Sequence, residues 1–304
     1  MALREQIQLA PPYHQRNGDR WLRKMTPICE AQGIEPFYFG QLKLNGERIR
    51  TEHGVLYSSS AAIVNSIPHI SDEVNTILPN SVQFDGEAYV HGMPLPTIQS
   101  IVSRTRDLHP DFEQMEYHIF DIKSEDPQLL RFQQLMHLAE RIEKSHSLKL
   151  VTPVRVTSHE AAMRLTYEAV DAGYEGAIFR NPLMPYYEGR SVKYMLKCKP
   201  RERDVYTIVE CLEGDPEGKH AGTLGSLIVV GDEKNAIPFH VGSFKVTDDE
   251  RRHLWAIREE LIGRKVVVLY NELSPNGIPP SSTYKCLLED EEDYDARHRP
   301  MFYR

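Results

Sequence analysis

The stretch Gln41-Leu42-Lys43-Leu44-Asn45-Gly46-Glu47-Arg48 sets a lysine two residues before an Asn-Gly dipeptide and an arginine two residues after it. Asn-Gly by itself predicts a tight hairpin turn with charged flanks. Four segments further along carry more of the same chemistry. They are Asp85-Gly86-Glu87-Ala88-Tyr89, Tyr117-His118-Ile119-Phe120-Asp121-Ile122, Glu175-Gly176-Ala177-Ile178-Phe179-Arg180 and Lys197-Cys198-Lys199. On a strand, Gln41 faces the same side as Lys43, because side chains alternate.

The chain has 304 residues, which at roughly 100–200 residues per domain suggests two domains. A hydrophobic fraction of 40% and a charged fraction of 26% suit a globular chain with a sizeable core. No run approaches the roughly 18 apolar residues of a membrane span. The first residues, MALREQIQLAPPYHQR, lack the apolar run of a secretory signal. Cys29, Cys198, Cys211 and Cys286 lie far apart, which argues against a zinc site or a disulfide framework and predicts a cytoplasmic protein. With 36 basic and 44 acidic side chains the formal charge is −8. Bulk positive charge is therefore not the means of holding a nucleic acid, although local basic patches are open.

Three helices are signalled. Asp126 can cap a helix with Pro127 at its first position, followed by Phe132, Leu135, Leu138, Ala139 and Ile142. Thr157 with Glu160 reads as a capping box, closed by Gly173. Thr247 with Glu250 reads as another, closed by Gly263. Strands are expected over 82–91, 115–122, 149–156, 176–181, 191–199, 205–213, 223–230, 237–246 and 264–270. The predicted class is α+β, with antiparallel sheets and flanking helices over 1–201. A small barrel of about five strands with one inserted helix, the OB-fold pattern, is expected over 202–304.

The five motifs, in this order, resemble the covalent nucleotidyltransferases and, within them, the ATP-dependent DNA ligases of compact phage, viral or bacterial type. That family carries Lys-x-Asp-Gly-x-Arg, Asp-Gly-Glu, a Phe-Asp strand, Glu-Gly and Lys-x-Lys. The resemblance implies a nucleotidyltransferase (adenylation) domain followed by an OB-fold. It implies that Lys43 takes AMP from ATP as a lysyl-AMP, passes it to the 5′-phosphate of a nick in double-stranded DNA, and that the 3′-hydroxyl then displaces AMP. Such an enzyme serves DNA repair, replication and recombination.

An amine with a pKa near 10.4 is protonated at neutral pH, so it needs neighbours that disfavour the ammonium. The resemblance points to Lys197 and Lys199 beside the phosphates; a like charge at about 5 Å costs roughly 3 kcal/mol at an effective dielectric near 20. It gives Arg48 to the 5′-phosphate, Phe120 to stacking on adenine and Gln41 to the adenine edge. Glu87 goes to the ribose or a metal-bound water. Glu175, with Glu87, goes to magnesium, manganese being tolerated. Arg297 and Arg299, in the terminal basic segment, orient the pyrophosphate. Gly46 lets the turn approach the nucleotide.

Three positions depart from the family pattern. Asn45 stands where Asp is usual, keeping an acceptor oxygen without the charge. Ser59 stands where an arginine often contacts the ribose. The last motif stops without its usual Asp-Lys. The expected partners are ATP and nicked duplex, gripped through Arg104, Arg106, Lys245, Arg251 and Arg252 by a monomer. The alternatives are an RNA ligase, a capping-type nucleotidyltransferase, or a non-catalytic nick-binding relative.

Overall fold

The structure is a computed structural model describing residues 8–199, 201–233, 235–270, 273–274, 276–279 and 281–290. The chain divides into two compact units, one ending at Lys199 and one beginning at Pro200. The first contains, in order, β1 (Gln8–Leu9), α1 (Gln15–Glu30), β2 (Tyr38–Lys43), β3 (Glu47–Glu52), β4 (Val55–Ser58), α2 (Pro68–Ile77), β5 (Phe84–Tyr89) and α3 (Leu95–Val102). These are followed by β6 (Glu116–Ile122), α4 (Gln128–Glu143), β7 (Leu148–Leu150), β8 (Val154–Val156), α5 (His159–Asp171), β9 (Gly176–Arg180), β10 (Gly189–Arg190) and β11 (Met195–Cys198).

The Asn45-Gly46 segment is not a hairpin. β2 belongs to a four-stranded sheet ordered β11-β9-β2-β8, and β3 to a five-stranded sheet ordered β4-β3-β5-β6-β7. Residues 44–46 carry the chain from one sheet to the other. Gly46 is required by the second sheet: a Cβ there would lie 2.3 Å from the carbonyl oxygen of Ala88. Its close approach is thus to protein backbone, where a nucleotide was expected. The expected strand 149–156 makes a second crossing. It splits at residues 151–153 into β7 in the five-stranded sheet and β8 in the four-stranded one.

The helix signals were placed to within a residue. The N-cap of α4 is Pro127, one residue later than the expected Asp126, and Asp126 accepts instead from Ser124 and Gln134. On α5 the cap is Ser158, whose hydroxyl accepts from the Ala161 amide at 3.1 Å, displacing the Thr157–Glu160 box. Helices α1 to α3 carried no clear signal. α1 contains Gly18 and Pro27, both poor helix formers. Trp21 on α1 meets Tyr38 edge-on at 5.7 Å between ring centroids. α1 therefore covers the Tyr38 face of the four-stranded sheet, and alternation turns Gln41 and Lys43 to the opposite face.

The second unit holds β12 (Glu202–Glu213), β13 (Leu224–Val230), β14 (Phe239–Val241), β15 (Ser243–Phe244), α6 (Asp248–Ala256), α7 (Arg258–Leu261), β16 (Lys265–Tyr270) and β17 (Ser282–Leu287). Its sheet runs β14-β13-β12-β16-β17-β15. Only Gly242 separates β14 from β15 along the chain, yet they occupy opposite ends of that order. The 239–244 segment therefore joins the two edges, giving a near-closed, five-stranded barrel of OB type. The inserted helix starts at the expected Thr247–Glu250 capping box and breaks at Ile257 before Gly263. The barrel has its own apolar core, separate from that of the first unit.

Candidate active site

A cavity of about 210 Å³ opens on the face of β2 that carries Gln41 and Lys43. Its lining includes Gln41, Lys43, Arg48, Glu87, Phe120 and Lys197. Two larger hollows, of about 700 Å³ beside Tyr187 and about 620 Å³ in the barrel, contain none of these six. The chemistry-bearing side chains converge on the smallest of the three. Glu175 and Lys199 join the constellation through Lys43. The Glu175 carboxylate bridges both amines, pairing with Lys43 Nζ through one oxygen and accepting from Lys199 Nζ at 2.7 Å through the other.

Backbone geometry fixes that bridge. The Glu175 amide donates to the Lys43 carbonyl at 2.9 Å. Gly176, with φ +139, lets β9 pass β11 where a Cβ would lie 2.2 Å from the Cys198 carbonyl oxygen. Burial works against the Glu175 carboxylate, but the charges of Lys43 and Lys199 outweigh it and hold its pKa below the ordinary range. Burial, reinforced by Lys199 and Lys43, pulls the Lys197 ammonium pKa down. Burial also pushes the Glu87 carboxyl up to about 7, against the pull of Arg48 and Lys43.

Two expected ligand contacts are filled by protein groups. The Arg48 guanidinium is clamped in bidentate fashion by Asp85 and donates to the Gln8 carbonyl at 3.0 Å. Its fork is closed to a phosphate. The Gln41 amide donates to the carbonyls of Val151 at 2.7 Å and Phe120 at 3.1 Å, and accepts from Arg180 Nε at 2.8 Å. Neither of its N–H donors is left for an adenine edge; it ties the two sheets together instead. Phe120 lines the cavity, with the guanidiniums of Arg48 and Arg180 at 5.1 and 5.2 Å from its ring centroid.

Beneath the cavity lies an ionic network absent from the expected set. Asp121 is fully buried and accepts from Arg131, Arg180 and Gln128. Asp85, equally buried, holds Arg48 and accepts from the Tyr186 hydroxyl at 2.7 Å. Gln8 links the two halves, receiving Arg48 on its carbonyl and Arg180 on its side-chain oxygen. Arg180, a charged residue ending the apolar run Ala177-Ile178-Phe179, was the available signal. Arg190 is exposed and lines the cavity without a counter-ion among the described residues.

Arg297 and Arg299 lie outside the described residues. Of the expected duplex contacts, Arg251 is buried, donating to the Leu224 carbonyl at 2.7 Å and lying over the Phe244 ring, so it is structural. Arg252 pairs with Asp249 at 2.5 Å. Arg104, Arg106 and Lys245 are exposed. Among the described residues no group of three or more His, Cys, Asp or Glu side chains forms a metal cluster, and no helix is long and apolar enough to cross a membrane.

A family model described as the ATP dependent DNA ligase domain matches residues 23–199, and one described as a DNA ligase OB-like domain matches 216–287. A DNA ligase of African swine fever virus is 27% identical over 261 residues, covering 79% of this chain and 60% of the viral protein. A DNA ligase of Nanoarchaeum equitans is 29% identical over 174 residues, covering 53% and 30%. The chain thus spans about 60% or less of the length of these curated relatives. In fold, it is similar to a Lig E DNA ligase, with TM-score 0.68 and 21% identity over 92% of this chain and 98% of the other. It is also similar to the ATP-dependent DNA ligase of bacteriophage T7 in complex with ATP, with TM-score 0.54 and 13% identity over 94% and 100%. The first of these family models covers more than half of the chain, and on that match the chain belongs to the ATP-dependent DNA ligase family.

Proposed function

We propose that this chain seals nicks in duplex DNA by three transfers through Lys43, acting as a monomer. The observation that carries the proposal is the placement of Lys43 Nζ at the cavity with Glu87, Phe120 and Lys197, beside the Glu175–Lys199 pair. In the first transfer the Lys43–Glu175 ion pair opens and the Lys43 ammonium gives a proton to solvent water, leaving the neutral amine. Nζ bonds to the α-phosphorus of ATP as the bond to the bridging oxygen breaks, releasing pyrophosphate. An oxygen of the nick's 5′-phosphate then bonds to the adenylate phosphorus as the P–N bond to Lys43 breaks and Nζ takes up a proton, and the 3′-hydroxyl, losing its proton to solvent, attacks the 5′-phosphorus and expels AMP.

Each displacement develops charge on phosphate oxygens, so catalysis is largely positioning and electrostatics. Lys197 and Lys199 meet that charge. With the fork of Arg48 closed, Arg190, which has no counter-ion among the described residues, is the cavity guanidinium suited to the nick phosphate. Phe120 and the apolar lining formed by Ile178 and Met195 suit a flat base. Glu175, once its pair with Lys43 has opened, and Glu87 would hold magnesium through carboxylate oxygens, the hard donors this ion takes. Bound there, the ion would neutralise charge on the phosphates.

The test is a sealing assay on nicked duplex with ATP and magnesium. Wild type joins the strands and Lys43→Ala does not. Labelling with ATP against GTP distinguishes a capping-type enzyme, and nicked RNA against nicked DNA distinguishes an RNA ligase. A protein that binds nicks but takes up no AMP would be the non-catalytic relative.

A further inference from the structure

Residues 8–13 precede all five motifs in the sequence, yet they form one wall of the Lys43 cavity. β1 runs parallel to β10, with Gln8 opposite Gly189 and Leu9 opposite Arg190. Further along, the Lys197 amide donates to the Pro11 carbonyl at 2.8 Å, and the Tyr13 amide to the Lys197 carbonyl at 2.7 Å. The segment is thus laced to the strand that carries Arg190 and to the strand that carries Lys197. Gln8, Ala10, Arg190 and Lys197 all line the cavity.

Gln8 anchors that wall inward and is only 3% exposed. Burying a primary amide costs free energy unless its polar atoms are bonded, and an apolar side chain would fill the space without that cost. What the amide provides is an acceptor. Its side-chain oxygen accepts from Arg180 Nη1 at 2.8 Å, and the Gln8 carbonyl accepts from Arg48 Nη1 at 3.0 Å. A guanidinium can only donate, so the oxygen of the amide is the atom that must face Arg180. These are the two guanidiniums that lie over the Phe120 ring. Asp85 holds Arg48 and Asp121 holds Arg180, but Gln8 bonds to both. Arg180 in turn gives Nε to Gln41, two residues before Lys43. A line of hydrogen bonds therefore runs from the N-terminal wall, past the ring, to the strand that carries the nucleophile.

We propose that Gln8 is a positioning residue for the nucleotide: by holding Arg48 and Arg180 over Phe120, it fixes the ring against which the base of ATP packs. This rests on the nick-sealing reading above, in which Phe120 meets the base. Gln8 acts through Arg180 and the ring, away from the reacting phosphorus. Its loss therefore falls on the KM for ATP and leaves the rate of transfer at saturation.

The experiment follows the initial rate of AMP transfer to Lys43 against ATP concentration for wild type, Gln8→Met and Gln8→Glu, with the thermal unfolding of each recorded alongside. All three keep the backbone carbonyl that receives Arg48. Methionine fills the space but offers Arg180 no comparable acceptor, whereas glutamate keeps one. In Gln8→Met the KM for ATP should rise about tenfold, the size of one hydrogen bond to a charged group. Its rate at saturating ATP should stay within about twofold of wild type. Gln8→Glu should keep both constants within about twofold of wild type. Should Gln8→Met fail to fold, Gln8→Leu takes its place in the same comparison. A merely structural Gln8 would lower the unfolding temperature and leave KM unchanged; that result overturns the assignment, as does a KM raised equally by methionine and glutamate. Wild type that takes up no AMP overturns the ligase reading itself, and the assignment with it.

Discussion

In the N-terminal unit the deepest side chains include charges: Asp85, Asp121 and Arg131 are at 0% exposure and Arg180 at 2%. In the C-terminal barrel the equally buried residues are Ile208, Leu224, Val229, Val241, Val266 and Val268. Both units bury a core, but only the first places ions beneath a cavity. Burying an ion pair costs desolvation that apolar packing avoids. What it provides is fixed geometry, because a closed set of charged hydrogen bonds leaves each guanidinium and carboxylate one arrangement. Arg48, Gln41 and Phe120 are held by that set at the mouth of the site. The barrel has no such side chains to hold, and apolar β-branched residues are enough.

The sharpest way to break this contrast is Asp121→Asn. It leaves Arg131 and Arg180 buried beside a neutral amide, and breaking a buried pair costs about 3–5 kcal/mol. Chemical denaturation should show that loss, accompanied by weaker labelling of Lys43. A smaller effect is expected from Glu73→Gln. The Glu73 carboxyl is partly buried, which opposes ionisation, but bonds from Ser145, Ser147 and the amides of His146 and Ser147 hold it down at about 2. A folded-state value below the unfolded one gives stability that is present above the ordinary value of 4.5 and lost as pH falls toward about 2. The substitution should flatten the acid limb of a stability–pH curve by at most one proton. In the barrel, Ile208→Val should cost only about 0.5–1.5 kcal/mol by the same denaturation measurement. Smallest of all, Glu140→Gln removes an exposed i,i+4 pair with Lys144 and should cost about 0.3–0.5 kcal/mol.

The barrel and the order of its helix were legible because period-2 strands and the Thr247–Glu250 box are local signals. The convergence of Lys43, Glu87, Glu175, Lys197 and Lys199 was legible through resemblance. The sheet crossing at 44–46 was not, because Asn-Gly has the same local appearance in a hairpin. Nor were the partners of Arg48 and Gln41: Asp85, Gln8, Val151 and Arg180 lie between 37 and 139 residues away in sequence, and only the fold brings them together. Helix α1 was not legible either, because Gly18 and Pro27 argue locally against a helix.

The most direct test is the intact mass of the purified protein after incubation with ATP and magnesium. The account predicts one added AMP, present on wild type, stable in the absence of nicked DNA, discharged when nicked DNA is supplied, and absent from Lys43→Ala. A wild-type protein whose mass does not change, or an adduct that persists in Lys43→Ala, would contradict it.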